Sequence, residues 1–67
     1  MTKNYQADRV LPSDLKVGDT ILVLGWEASI IYIEDIKNLW IFKVQDYHTK
    51  EVTTIVRYPH EYIPMMK

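Results

Sequence analysis

Few residues in this chain have the type and spacing that bond-making chemistry requires. His48 and His60 are its two histidines, and both fall in segments that read as turns. There is no cysteine, and no carboxylates cluster beside either histidine at metal-ligand spacing, so metal ligation lacks a donor set. Ser13 and Ser29 are the serines, and neither neighbours a histidine–carboxylate arrangement that would activate its hydroxyl. Asp46 and Glu51 flank one loop, where a carboxylate pair reads as a solubilising hairpin edge rather than an acid–base couple. With only Gly18 and Gly25, no glycine-rich loop can cradle a phosphate. The expectation is a protein that is not an enzyme and uses no cofactor and no metal.

Binding chemistry is better supplied. Trp26 and Tyr47 are aromatics in or beside predicted turns, the residue types that dominate interaction hot spots. The first expectation is therefore a protein-interaction module that docks through Trp26 and Tyr47, with Ile41 and Ile55 as an outward apolar pair. The alternative is a nucleic-acid-binding barrel. There Lys43, Lys50, Arg57 and His48 would contact phosphates while the same aromatics stack on bases. Glu27, Asp46 and Glu51 share those loops, and the net charge is −1, which is not the positive field of a dedicated nucleic-acid binder. Affinity that falls steeply with salt separates the second reading from the first.

The elements that must position these residues are short. Sixty-seven residues make one domain, and without disulfides or metal its compactness must come from a closed sheet or from self-association. No apolar stretch approaches the ~18 residues of a membrane span, and Met1 leads into polar sequence, so the expected location is cytoplasmic. Residues 1–10 read as a flexible N-terminal arm and residues 11–67 as the domain. Leu11–Leu15 resembles a brief helical turn capped by Ser13, with Leu11 and Leu15 inward. Strands are expected at Thr20–Leu24, Ala28–Asp35, Leu39–Gln45 and Val52–Arg57. After a further tight turn, a very short closing strand follows at Tyr62–Ile63. Pro59 and Pro64 bar that tail from a central sheet position. Gly25-Trp26 marks the tight connection between the first two strands.

Side-chain alternation places Trp40, Phe42 and Val44 on the core face of the third strand. A loop of three or five residues around His48 would turn Val52, Thr54 and Val56 inward as well, and a four-residue loop would turn Ile55 inward instead. The first register is favoured because it buries two valines, and it leaves Ile41 and Ile55 paired on the outside. The second strand is apolar on both faces, Ala28, Ile30 and Tyr32 against Ser29, Ile31 and Ile33. That pattern fits a strand shared by both halves of a barrel. It also fits a homodimer surface of Ile31, Ile41 and Ile55.

The series Leu15-Lys16-Val17-Gly18-Asp19, Trp26-Glu27-Ala28-Ser29-Ile30 and Lys43-Val44-Gln45-Asp46-Tyr47-His48-Thr49-Lys50-Glu51-Val52 resembles the SH3-like small barrels of Tudor and KOW type. It is also similar to small bacteriophage barrel proteins with a DLKVGD…GW opening. The resemblance spans about residues 11–63. It implies an all-β, five-stranded SH3-like barrel, with short helical turns before the first strand and near the C-terminus. In that family Trp26 would match the aromatic that opens strand two, and Tyr47 the tyrosine of a D-Y-G-N element that contributes to an aromatic cage. Here His48 and Thr49 replace the glycine and asparagine, and Val44 stands where a further cage aromatic often sits. Half a cage cannot enclose a methylated cation, so methyl-lysine or methyl-arginine reading is excluded.

Overall fold

Tight turns decide how these β-rich runs pair. A computed structural model describes residues 7–66. Its strands are β1 (Ala7–Val10), β2 (Thr20–Val23), β3 (Trp26–Ile36), β4 (Leu39–Asp46), β5 (Val52–Arg57) and β6 (Ile63–Met66). Lys16–Asp19 closes with the Asp19 N–H on the Lys16 carbonyl at 3.1 Å. Gly18 at φ +102° supplies the positive dihedral that such a turn demands at its third residue. Asp19 then pairs with Ile30, its carbonyl accepting the Ile30 N–H at 2.9 Å, and this sets β2 against β3.

The β2–β3 hairpin turns on Leu24-Gly25, both at positive φ (+50° and +92°), with Val23 facing Trp26 across the ladder. Trp26 is thus the first residue of β3 and not part of the turn itself. Leu24 is 96% exposed, and its branched side chain is a poor fit to the left-handed region. Leu24→Asn places the residue type this turn favours at that position. It is expected to raise Tm in a thermal melt by about 4–8 °C, corresponding to ~1 kcal/mol.

The chain forms one antiparallel sheet in the order β1-β6-β2-β3-β4-β5. The fold is all-β, as expected, but the sheet has six strands where five were expected. Among the described residues its terminal strands β1 and β5 are not paired with each other. Residues 7–10, read as part of an arm, form β1 along β6, while residues 1–6 lie outside the described residues. Pro64 does not exclude the tail from the interior of the sheet. β6 lies between β1 and β2, and it meets β2 at the single register pair Ile21–Met65, so little of that ladder depends on a Pro64 N–H. Pro12–Asp14 is a 3-10 turn opened by Leu11. Ser13 is exposed within the turn and does not cap it; Pro12 at its start presets the backbone. Tyr58–Glu61, near the C-terminus, is a simple turn and not a helical one.

The core gathers Leu15, Ile21, Val23, Ala28, Ile30, Phe42, Val44, Ile55 and Ile63. Val10, Trp26, Ile33, Trp40 and Met65 pack against it while partly exposed. The doubly apolar run in β3 is explained by a β-bulge. The register shifts between Ile30 and Tyr32, so Ile31 is the extra residue. Ile30 faces Val44 and Ile33 faces Phe42, both on the core side, while Ile31 and Tyr32 are 42% and 43% exposed. The strict alternation expected for this strand, with Tyr32 beside Ile30 and Ile33 opposite, therefore does not hold.

Beyond the ends of β4 and β5 the Asp46 N–H still bonds to the Glu51 carbonyl, so the turn encloses four residues, Tyr47–Lys50, and this overturns the favoured register. Phe42 faces Ile55, Val44 faces Thr53 and Trp40 faces Arg57. Ile55 is buried and Val52, Thr54 and Val56 point outward. The expected outward pair of Ile41 and Ile55 is thereby corrected: Ile41 lies opposite Val56, on the other face from Ile55. The same parity buries Ile55, so it does not share an outward surface with Ile31 and Ile41 as the homodimer expectation required. Among the described residues no helix is long and apolar enough to cross a membrane.

Candidate functional site

The four-residue loop owes its length to Asp46. One carboxylate oxygen, Oδ1, accepts the backbone N–H of His48 at 2.7 Å and of Thr49 at 2.8 Å. The Asp46 N–H donates to the Glu51 carbonyl at 2.8 Å, and the Lys50 N–H donates to the Asp46 carbonyl at 3.0 Å. The Thr49 hydroxyl accepts the Glu51 N–H, and the Gln45 amide donates to the Lys50 carbonyl. Lys50 takes φ +69° to rejoin the ladder. An aspartate that binds backbone N–H groups two and three residues on is a turn former, and Asp46 makes both of those bonds here.

The Thr49 N–H, followed by the His48 N–H and imidazole, holds the Asp46 carboxyl below the ordinary carboxylate value, against an opposing desolvation effect. A depressed folded value means the loop contacts are intact above the ordinary carboxylate range and are lost as pH falls through the lowered one. The His48 and Thr49 amide resonances should therefore titrate together with a midpoint below that of an ordinary aspartate. In Asp46→Ala that titration should vanish.

This loop presents an aromatic and cationic tip. Tyr47 is 61% exposed, with His48 edge-on to its ring at 5.3 Å between centroids and the Lys50 ammonium 5.6 Å from the ring centre. A second pair of the same kind lies on the outward face of the sheet. There the Lys43 ammonium sits 5.3 Å from the Tyr32 ring centre. The Tyr32 hydroxyl donates to Glu34 at 3.2 Å, and that hydrogen bond and the Glu34 charge raise the tyrosine's pKa. Cross-strand rows extend this face: Ser29–Gln45–Val52, Tyr32–Lys43–Thr54 and Glu34–Ile41–Val56. Ile36, Val52 and Val56 are exposed apolar residues on it, and Ile41 is half-buried among them.

The structure therefore gathers some of the expected residues and separates others. Tyr47, His48 and Lys50 share the loop, and Lys43 and Ile41 share the outward face of β4. Trp26 is half-buried against the core, and Ile55 lies within it. Arg57, opposite Trp40, is on the other face from Lys43, so the four-residue phosphate-binding set does not assemble on one surface. Its guanidinium donates instead to the Val56 carbonyl at 2.7 Å. Tyr32, Ile36, Val52 and Val56 are members of the outward face that sequence reasoning missed. Among the described residues no group of three or more His, Cys, Asp or Glu side chains is arranged to hold a metal ion, and no pocket opens.

Fold and surface together define a small, single-sheet all-β domain with one closed face and one decorated face. No family model, curated protein or solved structure matches the chain.

Proposed function

We propose that this chain is a non-catalytic protein-interaction module, of SH3-like small-barrel character, that docks through the outward face of β3, β4 and β5. The observation that carries this reading is the contiguous exposure of Tyr32, Ile36 and Val56 around Ile41, on a face bordered at one end by Val52 and the Tyr47 loop. Exposed apolar side chains in adjoining rows, edged by charge, have the composition of a docking surface. The meander β2-β3-β4-β5, with β6 returning beside β2, supports the small-barrel resemblance.

The Tyr32–Lys43 and Tyr47–Lys50 pairs favour a second reading, single-stranded nucleic acid, because each couples a stacking ring to a phosphate-seeking cation. The two readings separate in one series. Immobilised chain is challenged with a cell lysate and, separately, with a mixed-sequence single-stranded oligonucleotide at low and high salt. The protein reading expects a captured protein that Val56→Lys and Tyr32→Ala release and His60→Ala retains. A salt-sensitive oligonucleotide complex lost in Lys43→Ala or Lys50→Ala would replace it with the second reading.

A further inference from the structure

We infer that β5 is a self-association edge, along which two copies of this chain pair antiparallel about a two-fold axis at Thr54. The inference rests on the strand's backbone and does not depend on what the outward face binds.

The phase of the β4–β5 ladder shows which groups are free. The Asp46 N–H bonds to the Glu51 carbonyl, so Glu51 points its polar backbone toward β4. By alternation Thr53, Ile55 and Arg57 do the same, and Val52, Thr54 and Val56 present their N–H and C=O groups to the open side. The Arg57 guanidinium on the Val56 carbonyl is an independent sign of that phase, since it reaches a carbonyl that β4 does not use. The two ends of the sheet differ sharply. β1 is short and has Asp8 and Arg9 at its centre, the charged composition that discourages strand addition. β5 reads Val-Thr-Thr-Ile-Val-Arg, with β-branched residues at all but its last position, no proline and no glycine. An edge of this composition is a template for a further strand.

The choice of a second copy as that strand comes from the register. Pairing Thr54 with Thr54 of the second copy sets Val52 against Val56 in both directions. Every backbone group on the open side of β5 is then matched in a hydrogen-bonded position. The same register brings Glu51 opposite Arg57 of the second copy, twice by symmetry, at positions where side chains approach closely. Outward-facing residues stay outward, so the two decorated faces join into one. On association Arg57 leaves its own Val56 carbonyl for Glu51 of the second copy. That frees the carbonyl to accept from Val52. A shift by two residues in either direction leaves part of this set unmatched and opposes Glu51 or Arg57 to an uncharged residue.

Edge pairing of one strand is a small interface, so the complex should be weak and rapidly exchanging. Sedimentation equilibrium over a wide concentration range should show the apparent mass rising from one chain toward two. Amide exchange at Val52, Thr54 and Val56 should slow with it. Thr54→Pro removes an N–H that β4 does not use, and it should hold the chain at monomer mass with an unchanged circular dichroism spectrum. Arg57→Glu should weaken association about tenfold or more by opposing like charges at both ends, and Glu51→Arg combined with Arg57→Glu should restore it. Monomer mass at every concentration overturns the proposal. So does association that Arg57→Glu leaves unchanged, or that the double exchange fails to restore; such association belongs to another surface. If Thr54→Pro does not fold, the charge exchange decides the matter by itself.

Discussion

Replacing Phe42 with alanine is expected to leave most of the chain unfolded at room temperature. Phe42 is fully buried at the centre of the sheet, facing Ile33 on one side and Ile55 on the other. It stacks on Trp40 with ring centroids 6.3 Å apart. Truncating such a ring costs about 3–5 kcal/mol in lost transfer energy and residual cavity. A domain of this length has roughly 3–10 kcal/mol in total. The consequences should spread, because Ile30, Val44 and Ile55 belong to the same core cluster and, among the described residues, no second cluster sustains the sheet. Urea titration followed by tryptophan fluorescence measures the loss. A midpoint shift worth less than ~1 kcal/mol would show that the sheet does not close over this ring.

The second large effect is a contrast between neighbours. Ile55→Lys should destabilise the chain by about 3 kcal/mol or more, since it drives an ammonium into an apolar cluster with no buried partner. Val56→Lys should cost about 1 kcal/mol or less, because that position is exposed and Glu34 lies in the same cross-strand row. Thermal melts of the two variants therefore read the β4–β5 register directly. The opposite ranking would restore the arrangement with Val52, Thr54 and Val56 inward.

That register is where sequence reasoning went astray, and the reason is physical. The limits of β5 at Val52 and Arg57 and the start of β4 at Leu39 are legible from β-branched and aromatic runs punctuated by turn residues. So is the Gly18 turn, because a glycine before Asp19 suits the positive dihedral that the turn adopts there. The parity of β5 depends on how many residues Asp46 encloses, which is set by two hydrogen bonds to one carboxylate oxygen. Burying two valines looked better than burying one isoleucine, but hydrophobic content could not outweigh the turn. The Ile31 bulge left a trace in the sequence, an apolar run on both faces of one strand, and that trace admits several explanations. β1 left almost none, because Asp8 and Arg9 interrupt any apolar alternation. For the candidate site, the placement of individual side chains was legible only in part. The exposure of Tyr47 is legible from its aromatic type beside a turn. Strict alternation turns Tyr32 inward because it cannot register the bulge, and a tryptophan beside a glycine reads as a loop residue although Trp26 opens β3 half-buried against the core.

The bulge also determines where the chain can change length. Removing one residue from a half-buried strand normally transfers every later side chain to the opposite face. At Ile31 the reverse holds. Ile30 and Tyr32 already occupy successive positions against Val44 and Lys43. A chain lacking Ile31 would keep Ile33 on Phe42 and Tyr32 beside Lys43, and would lose a bend rather than a face. Natural length variation within β3 should therefore concentrate at this residue, and the same point marks where the far half of the β3–β4 hairpin can be re-aimed without recomposing its surface.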